Sequence, residues 1–277
     1  MTYRIRVTLV TAAILAVSLA LPAGAQQPQA APGSRAPAPA ATPDLGLRVE
    51  LEPKALALLK AMCDKLASAK TMTFTAITTY ESPARTGEPL AYTTLSQVTL
   101  QRLNKLKVLT PFDGPPSELY YDGKIVMAYE PEAGLVAVAE APPTIDAMLK
   151  AAYDATATYF PFTDIIVVDP YKDFESELKI AFVIGKSHVV GGVLTDVVAL
   201  VTDSVHMQVW IGSEDKLPRM MRATFADEPR NYRHVVEFSN WHLNPSIAPG
   251  AFTSSAAAHA KRMGSARPDR VPTATGK

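Results

Sequence analysis

Residues 205–225 read VHMQVWIGSEDKLPRMMRATF, two stretches of alternating polarity joined by a short polar turn. Val205, Met207, Val209 and Ile211 fall on one face of the first stretch. Leu217, Met221, Ala223 and Phe225 fall on one face of the second, and Arg219 shares their parity. Alternation with period two marks half-buried strands, so the segment is expected to be a β-hairpin with one dry face. Placing Ile211 opposite Leu217 sets Met207 against Met221 and Val209 against Arg219. An arginine on the dry side then has two explanations. It can meet an anionic head group while its stem packs on Leu217, or Pro218 can make a bulge that reverses parity and sends it to solvent.

The same period extends in both directions. Leu178–Ile184, Val193–Val201 and Tyr232–Trp241 complete the C-terminal strands. Thr71–Tyr80 places Met72, Phe74 and Tyr80 on one face and threonines on the other, and Leu90–Leu100 repeats this with Leu90, Tyr92, Val98 and Leu100. Shorter strands follow at Asn104–Thr110, Glu118–Asp122, Lys124–Glu130 and Leu135–Ala139, with Asp122-Gly123 as a tight-turn signal. Leu51–Ala69 has an apolar stripe at helical spacing, with Pro53 suited to its first turn. Ile145–Tyr159 reads as a second helix capped by Thr144, and a short segment opens at Pro161. A run of about eleven antiparallel strands must curl or close. The expected fold is α+β: a strongly curved antiparallel sheet, an incomplete barrel, capped on its concave side by helices.

Both ends of the chain fall outside this pattern. Residues 1–25 have a basic start, an apolar run from Val7 to Leu21 and an Ala23-Gly24-Ala25 cleavage site, the features of a signal peptide cut after Ala25. Residues 26–46 are an Ala/Pro-rich linker, 47–253 the folded domain, and 254–277 a disordered tail. The 27 basic and 27 acidic residues balance, and removing Arg4 and Arg6 leaves 25 against 27, a net −2. That excludes the clustered basic footprint of a nucleic-acid binder. With cleavage, no transmembrane segment remains, and the expected location is the periplasm. Cys63, the single cysteine, lies near a helical stripe as a buried thiol.

No catalytic constellation is visible. The five histidines (188, 206, 234, 242, 259) show no metal-ligand spacing. IGKSHV lacks the second glycine and the strand-to-helix context of a nucleophile elbow, and the acidic pairs Glu175/Glu177 and Glu214/Asp215 sit in polar turns. The expectation is no enzyme, no metal and no cofactor.

The hairpin above, the later aromatics Phe238, Trp241 and Phe252, the helix ALALLKAMCDKLASAKTMTF and the stretch ELYYDGKIVMAYEPEAGLVAVAEAPPTIDAMLK together resemble a family of predicted periplasmic proteins known only as a domain of unknown function, placed with the LolA/LolB lipoprotein-carrier superfamily. The likeness spans roughly Leu51 to Phe252, and the spacing from Trp210-Ile211 to Pro218-Arg219 is its most specific part. It implies a half-barrel with a helical lid. Two departures stand out. Leu194, Thr195, Asp196 and Val197 occupy a stretch that often carries cysteine and histidine, and Phe252 is followed by TSSAAAHAKRM rather than a Pro-rich aromatic ending.

Together these readings give an exported carrier or sensor that binds a lipid, an acyl chain or a lipoprotein between sheet and lid. The candidate cavity residues are Met72, Phe74, Tyr92, Leu100, Met127, Tyr129, Met207, Val209, Met221 and Phe225, with Arg219 for a head group; Met and aromatic side chains suit an adaptable apolar wall. The alternative is an envelope protein-interaction module with a filled core and no lipid ligand. Met221 separates the two: a carboxylate there would stay hydrated in a hollow face and unfold a packed one.

Overall fold

The computed structural model describes residues 50–264 apart from Arg85, Asp113 and Pro229. The expected signal peptide and the linker of residues 26–46 lie outside the described residues. The first helix, α1 (Pro53–Ser68), starts at Pro53 and buries Ala55, Leu59, Met62, Cys63 and Leu66 along one stripe. Burial pushes the Cys63 thiol up to about 12, where it is an inert apolar side chain at neutral pH. Six strands follow: β1 (Thr71–Pro83), β2 (Pro89–Gln101), β3 (Lys105–Phe112), β4 (Ser117–Tyr121), β5 (Ile125–Glu130) and β6 (Leu135–Glu140). The β4–β5 turn follows its sequence signal. Asp122 Oδ1 accepts from the backbone N–H groups of Lys124 and Ile125 at 2.9 and 2.8 Å, and Gly123 takes φ +100°. A Cβ at Gly123 would sit 2.5 Å from the Asn104 amide, so only glycine fits.

The helical interlude comprises α2 (Ile145–Thr156), α3 (Thr163–Ile166) and α4 (Pro170–Glu175). Thr144 caps α2 by accepting from the Ala147 N–H, and Ala157 takes the left-handed region at φ 59°, so the helix stops at Thr156, three residues before the expected Tyr159, as the chain turns toward α3. Then come β7 (Ile180–Ser187), β8 (Thr195–Val201), β9 (Val205–Gly212), β10 (Pro218–Phe225) and β11 (Arg233–Leu243), the short α5 (Ser255–His259) and a two-residue β12 (Lys261–Arg262). All twelve strands join one open sheet in the order β12-β6-β5-β4-β3-β2-β1-β11-β10-β9-β8-β7. Every neighbouring pair is antiparallel except β12 with β6. The curved antiparallel sheet with α1 to α3 on its concave face, expected from the alternation, is the observed fold.

Residues directly opposite one another across a ladder share a face, so the register sorts the side chains. On the concave face Met72 pairs with Leu100 and Phe74 with Val98, Val108 with Leu119 and Leu106 with Tyr121, and Met221 with both Val209 and Val236. These residues and the stripes of α1, α2 and α3 make one buried core. α1 lies against β7, β8 and β9. Phe162, between α2 and α3, sets its ring edge-on to Phe74 at 5.7 Å, and Phe74 stacks on Trp241 at 4.5 Å.

A second, smaller core lies on the convex side. Tyr120 pairs with Met127 and Glu118 with Tyr129, while Met127 pairs with Val138 and Tyr129 with Val136. All of these have the parity opposite to Leu119 and Tyr121. α5 packs over β5 and β6, and Phe252, Ala257, Tyr120 and Val136 are buried while standing apart from the main core. The sequence reading ended the domain at Thr253. The structure carries it on to Gly264: Ser254 caps α5, and Lys261 and Met263 donate backbone bonds to Gly134 and Val136 on β6.

Candidate ligand site on the concave face

Burial along the concave face changes in one direction on five adjacent strands. On β1, Met72, Phe74, Ala76 and Thr78 are buried and Tyr80 is half-buried. On β2, Leu100, Val98 and Ser96 are buried, Thr94 is half-buried, and Tyr92 and Leu90 are 46% and 45% exposed. Phe238 and Val236 on β11 give way to a half-buried His234, Met221 on β10 to Ala223 and Phe225, and Val209 on β9 to Met207 and Val205. The registers place these transitions side by side, through Tyr80 with Tyr92, Tyr80 with His234, His234 with Ala223 and Ala223 with Met207. The face is sealed at one end and open at the other.

The open end is aromatic. Tyr80 stacks on Tyr92 at 5.7 Å between ring centroids, His234 lies 5.9 Å from Tyr80, and Phe225 meets His234 edge-on at 4.7 Å. Burial holds the His234 imidazole below its ordinary pKa, with Glu81 opposing the shift, which favours the neutral ring. Between mouth and core runs a band of hydroxyls. Thr78 faces Thr94 across the ladder, and Ser96 lies 3.3 Å from Thr110. A band that offers donors and acceptors without formal charge can orient a neutral polar group.

The sealed end is held by a half-buried arginine that no sequence pattern marks. Arg102 follows β2 and donates through Nη1 to the carbonyls of Ile166 and Val167 at 3.0 and 2.6 Å, and through Nη2 to Leu66 at 3.3 Å. It thereby ties the ends of α1 and α3 to the sheet. Its own backbone N–H donates to Lys70 O, and Leu103 O accepts from Ile145 at the start of α2. Burial lowers the Arg102 pKa and the nearby Asp146 carboxylate opposes this. Asp146 also accepts from the Val168 N–H. Nothing in the sequence flagged Arg102, because an arginine at a strand end reads as solvated.

The residues singled out from the sequence therefore separate into four places. Met72, Phe74, Leu100, Val209 and Met221 are in the sealed core. Tyr92, Met207 and Phe225 border the open mouth. Met127 and Tyr129 are a correction: their strand pairs them with Tyr120 and Glu118, so they belong to the convex core and cannot line a concave cavity. Their alternation is as regular as that of the other strands, and the two sides of β5 differ only in what the C-terminal segment covers. Arg219 is the second correction. Met221 pairs with Val209 and Ala223 with Met207, not with Arg219 opposite Val209, because a bulge lies between Pro218 and Met220. Arg219 is the extra residue of that bulge. It does not reach solvent either: its side chain is 13% exposed. Nη2 donates to Asp215 Oδ2 at 2.5 Å and Nη1 to Leu217 O at 3.2 Å. Gly191 closes over its stem, where a Cβ would come within 2.9 Å of Arg219 Cδ. Arg219 braces a hairpin turn and stands away from the mouth.

Residues 55–264 match the family described as predicted periplasmic protein (DUF2092), and the chain belongs to that family. No curated protein matches it. Among solved structures the chain is similar to LprF from Mycobacterium bovis, at 12% identity over 74% of this chain and 100% of that one with a TM-score of 0.45. It is similar to the lipoprotein LppX of Mycobacterium tuberculosis, at 11% identity over 71% and 98% with a TM-score of 0.43. A LolA superfamily protein from Nitrosomonas europaea matches at 8% identity over 72% and 97% with a TM-score of 0.36. Among the described residues, no helix is long and apolar enough to cross a membrane, and no group of three His, Cys, Asp or Glu side chains is placed to hold a metal ion.

Proposed function

We propose that this protein is a non-enzymatic periplasmic binder of an apolar chain, a carrier or sensor that admits its ligand at the open end of the concave face. The observation that carries this reading is the shared burial gradient: five strands pass together from a sealed core to an exposed aromatic mouth. A monomeric sheet with nothing to bind has no reason to leave Leu90, Tyr92, Tyr80 and Phe225 half-covered in one place. The ligand region is narrower than the sequence suggested. It consists of Tyr80, Leu90, Tyr92, Met207, Phe225 and His234, with the hydroxyl band as its floor. Burying about ten methylenes is worth ~8 kcal/mol, the scale of micromolar binding before ordering costs are subtracted.

Titration with a dansyl-labelled undecanoic acid tests this. Wild-type protein should give saturable fluorescence enhancement. Tyr92→Asp, at an exposed position that tolerates charge, should weaken uptake at least tenfold, and Ile77→Asp on the convex side should not. No enhancement with the wild type, or equal losses in the two variants, would remove the mouth as a binding site.

A further inference from the structure

A long sheet must deal with its unpaired edges, because each exposed row of N–H and C=O groups invites another strand. Among the described residues, part of each outer edge of this sheet is covered by the chain itself. β12 lies along β6, with Lys261 N–H to Gly134 O at 3.0 Å and Met263 N–H to Val136 O at 2.9 Å. Residues Glu50–Glu52 lie along β7: Glu52 N–H donates to Ala181 O at 2.7 Å, and the Glu52 carboxylate accepts from the Val183 N–H at 2.8 Å.

One interior edge is left open. β2 pairs with β1 from Pro89 to Gln101, but with β3 only from Leu95 onward, where Leu95 faces Phe112. Among the described residues, Pro89–Thr94 therefore has a strand partner on one side only. At the hairpin tip Ala84 N–H donates to Glu88 O. Alternation along an antiparallel ladder then turns the backbone groups of Leu90, Tyr92 and Thr94 toward β1 and those of Ala91 and Thr93 outward. Ala91 and Thr93 are exposed. Pro89 blunts the start of this edge, but no lysine or inward charge does so from Leu90 to Thr94. Apolar side chains flank it instead: Leu90 and Tyr92 on the concave side, and Phe112, 63% exposed, on the line an added strand would continue.

We propose that Pro89–Thr94 is a docking edge for a short extended peptide segment of a partner protein, added as a strand that continues the line of β3. The occupant is a segment of four to six residues with alternating apolar side chains, since the free backbone groups select an extended chain and Leu90, Tyr92 and Phe112 select apolar contacts. The edge is about 20 Å long. A strand laid on it buries on the order of a few hundred Å2, well short of the ~1,200 Å2 typical of a stable dimer, which favours a peptide over a second copy. The chain's own residues 265–277 are a poor occupant, because Pro268 and Pro272 interrupt the donors that an added strand needs.

The probe is a fluorescein-labelled heptapeptide, Lys-Val-Thr-Val-Thr-Val-Lys, followed by anisotropy and by amide shifts of 15N-labelled protein. Wild type should bind saturably, with shifts concentrated in residues 89–94. Ala91→Pro deletes one outward donor and no internal bond, and Thr93→Pro deletes one outward donor together with an exposed hydroxyl contact to Thr79 at 3.0 Å. Each should weaken binding roughly five- to tenfold while leaving thermal stability and dansyl-fatty-acid uptake unchanged. Absence of saturable binding, equal affinity in both proline variants, or shifts centred elsewhere would overturn the proposal. So would a concentration-dependent dimer that Thr93→Pro abolishes, since the occupant would then be a second copy. Should a proline variant fold poorly, the wild-type shift map alone decides. Peptide binding without fatty-acid uptake would remove the mouth reading and leave this one standing.

Discussion

Met221→Asp distinguishes a packed concave face from a hollow one at the position where the structure commits itself. Met221 is 6% exposed, between Val209 and Val236 on the ladders, and belongs to the main core. Truncating a buried methionine costs ~2–5 kcal/mol through lost packing alone. The introduced carboxyl finds no cation among its ladder neighbours, so it remains neutral in the folded state with its pKa raised by about 3 units or more above the unfolded 3.9. At pH 7 that adds ~4 kcal/mol. The sum of roughly 6–9 kcal/mol is comparable with the whole stability of a typical domain, so the variant should be largely unfolded at pH 7. The pH dependence has a definite sign. A carboxyl whose folded pKa is raised carries no ionisation penalty below the unfolded value, and the penalty grows by ~1.4 kcal/mol per pH unit above it. The variant should therefore regain structure between pH 7 and pH 4.5, which urea melts followed by circular dichroism will show once wild-type acid sensitivity is subtracted. Met221→Leu should behave like wild type. A Met221→Asp protein as stable as wild type at pH 7 would mean that water reaches this part of the face, and the sealed end would have to be redrawn.

Other outcomes follow from the same contacts. Arg102→Met keeps the stem but deletes bonds to three carbonyls; a loss of about 2–4 kcal/mol in urea melts is expected, with amide exchange accelerating first around residues 160–168. Phe252→Ala should cost ~3 kcal/mol or more, because its ring is 2% exposed in the convex core. Ending the chain at Thr253 should expose Tyr120, Met127 and Val136 and raise binding of a hydrophobic dye, whereas a truly dispensable tail would change neither. Arg219→Ala should lower stability by ~1–2 kcal/mol, through loss of the Asp215 and Leu217 bonds, and leave dansyl-fatty-acid uptake at the wild-type level. Reduced uptake by a folded Arg219→Ala protein would restore it as a ligand residue.

The part of this molecule that was legible in its sequence is the part governed by local periodicity. Alternation in 205–225 and 71–100 and the helical stripe of 51–69 located most elements, because each pattern depends only on which side of one element is dry. Parity, however, reports that a side is dry without saying what dries it. Met127 and Tyr129 alternate like Met207 and Val209, yet one pair is covered by α5 from the far end of the chain and the other belongs to the concave side. Only the long-range return of residues 252–263 separates the cases, and that segment, rich in alanine and serine, looked too weak to pack. Its small residues pack nonetheless: Ala257 is fully buried on α5, which lies over β5 and β6. Arg219 fails as a prediction for a related reason. A bulge adds one residue without altering composition, so the parity argument holds for Met221, Ala223 and Phe225 and breaks at Arg219. Arg102 is the converse case, an arginine with no sequence signature whose burial arises because α1 and α3 end beside it with carbonyls to satisfy. The open edge of β2 is likewise a property of two strand lengths compared, thirteen residues against eight. That mismatch was already latent in the long Thr/Tyr alternation of 71–100, and it became a site only when β3 turned away at Phe112.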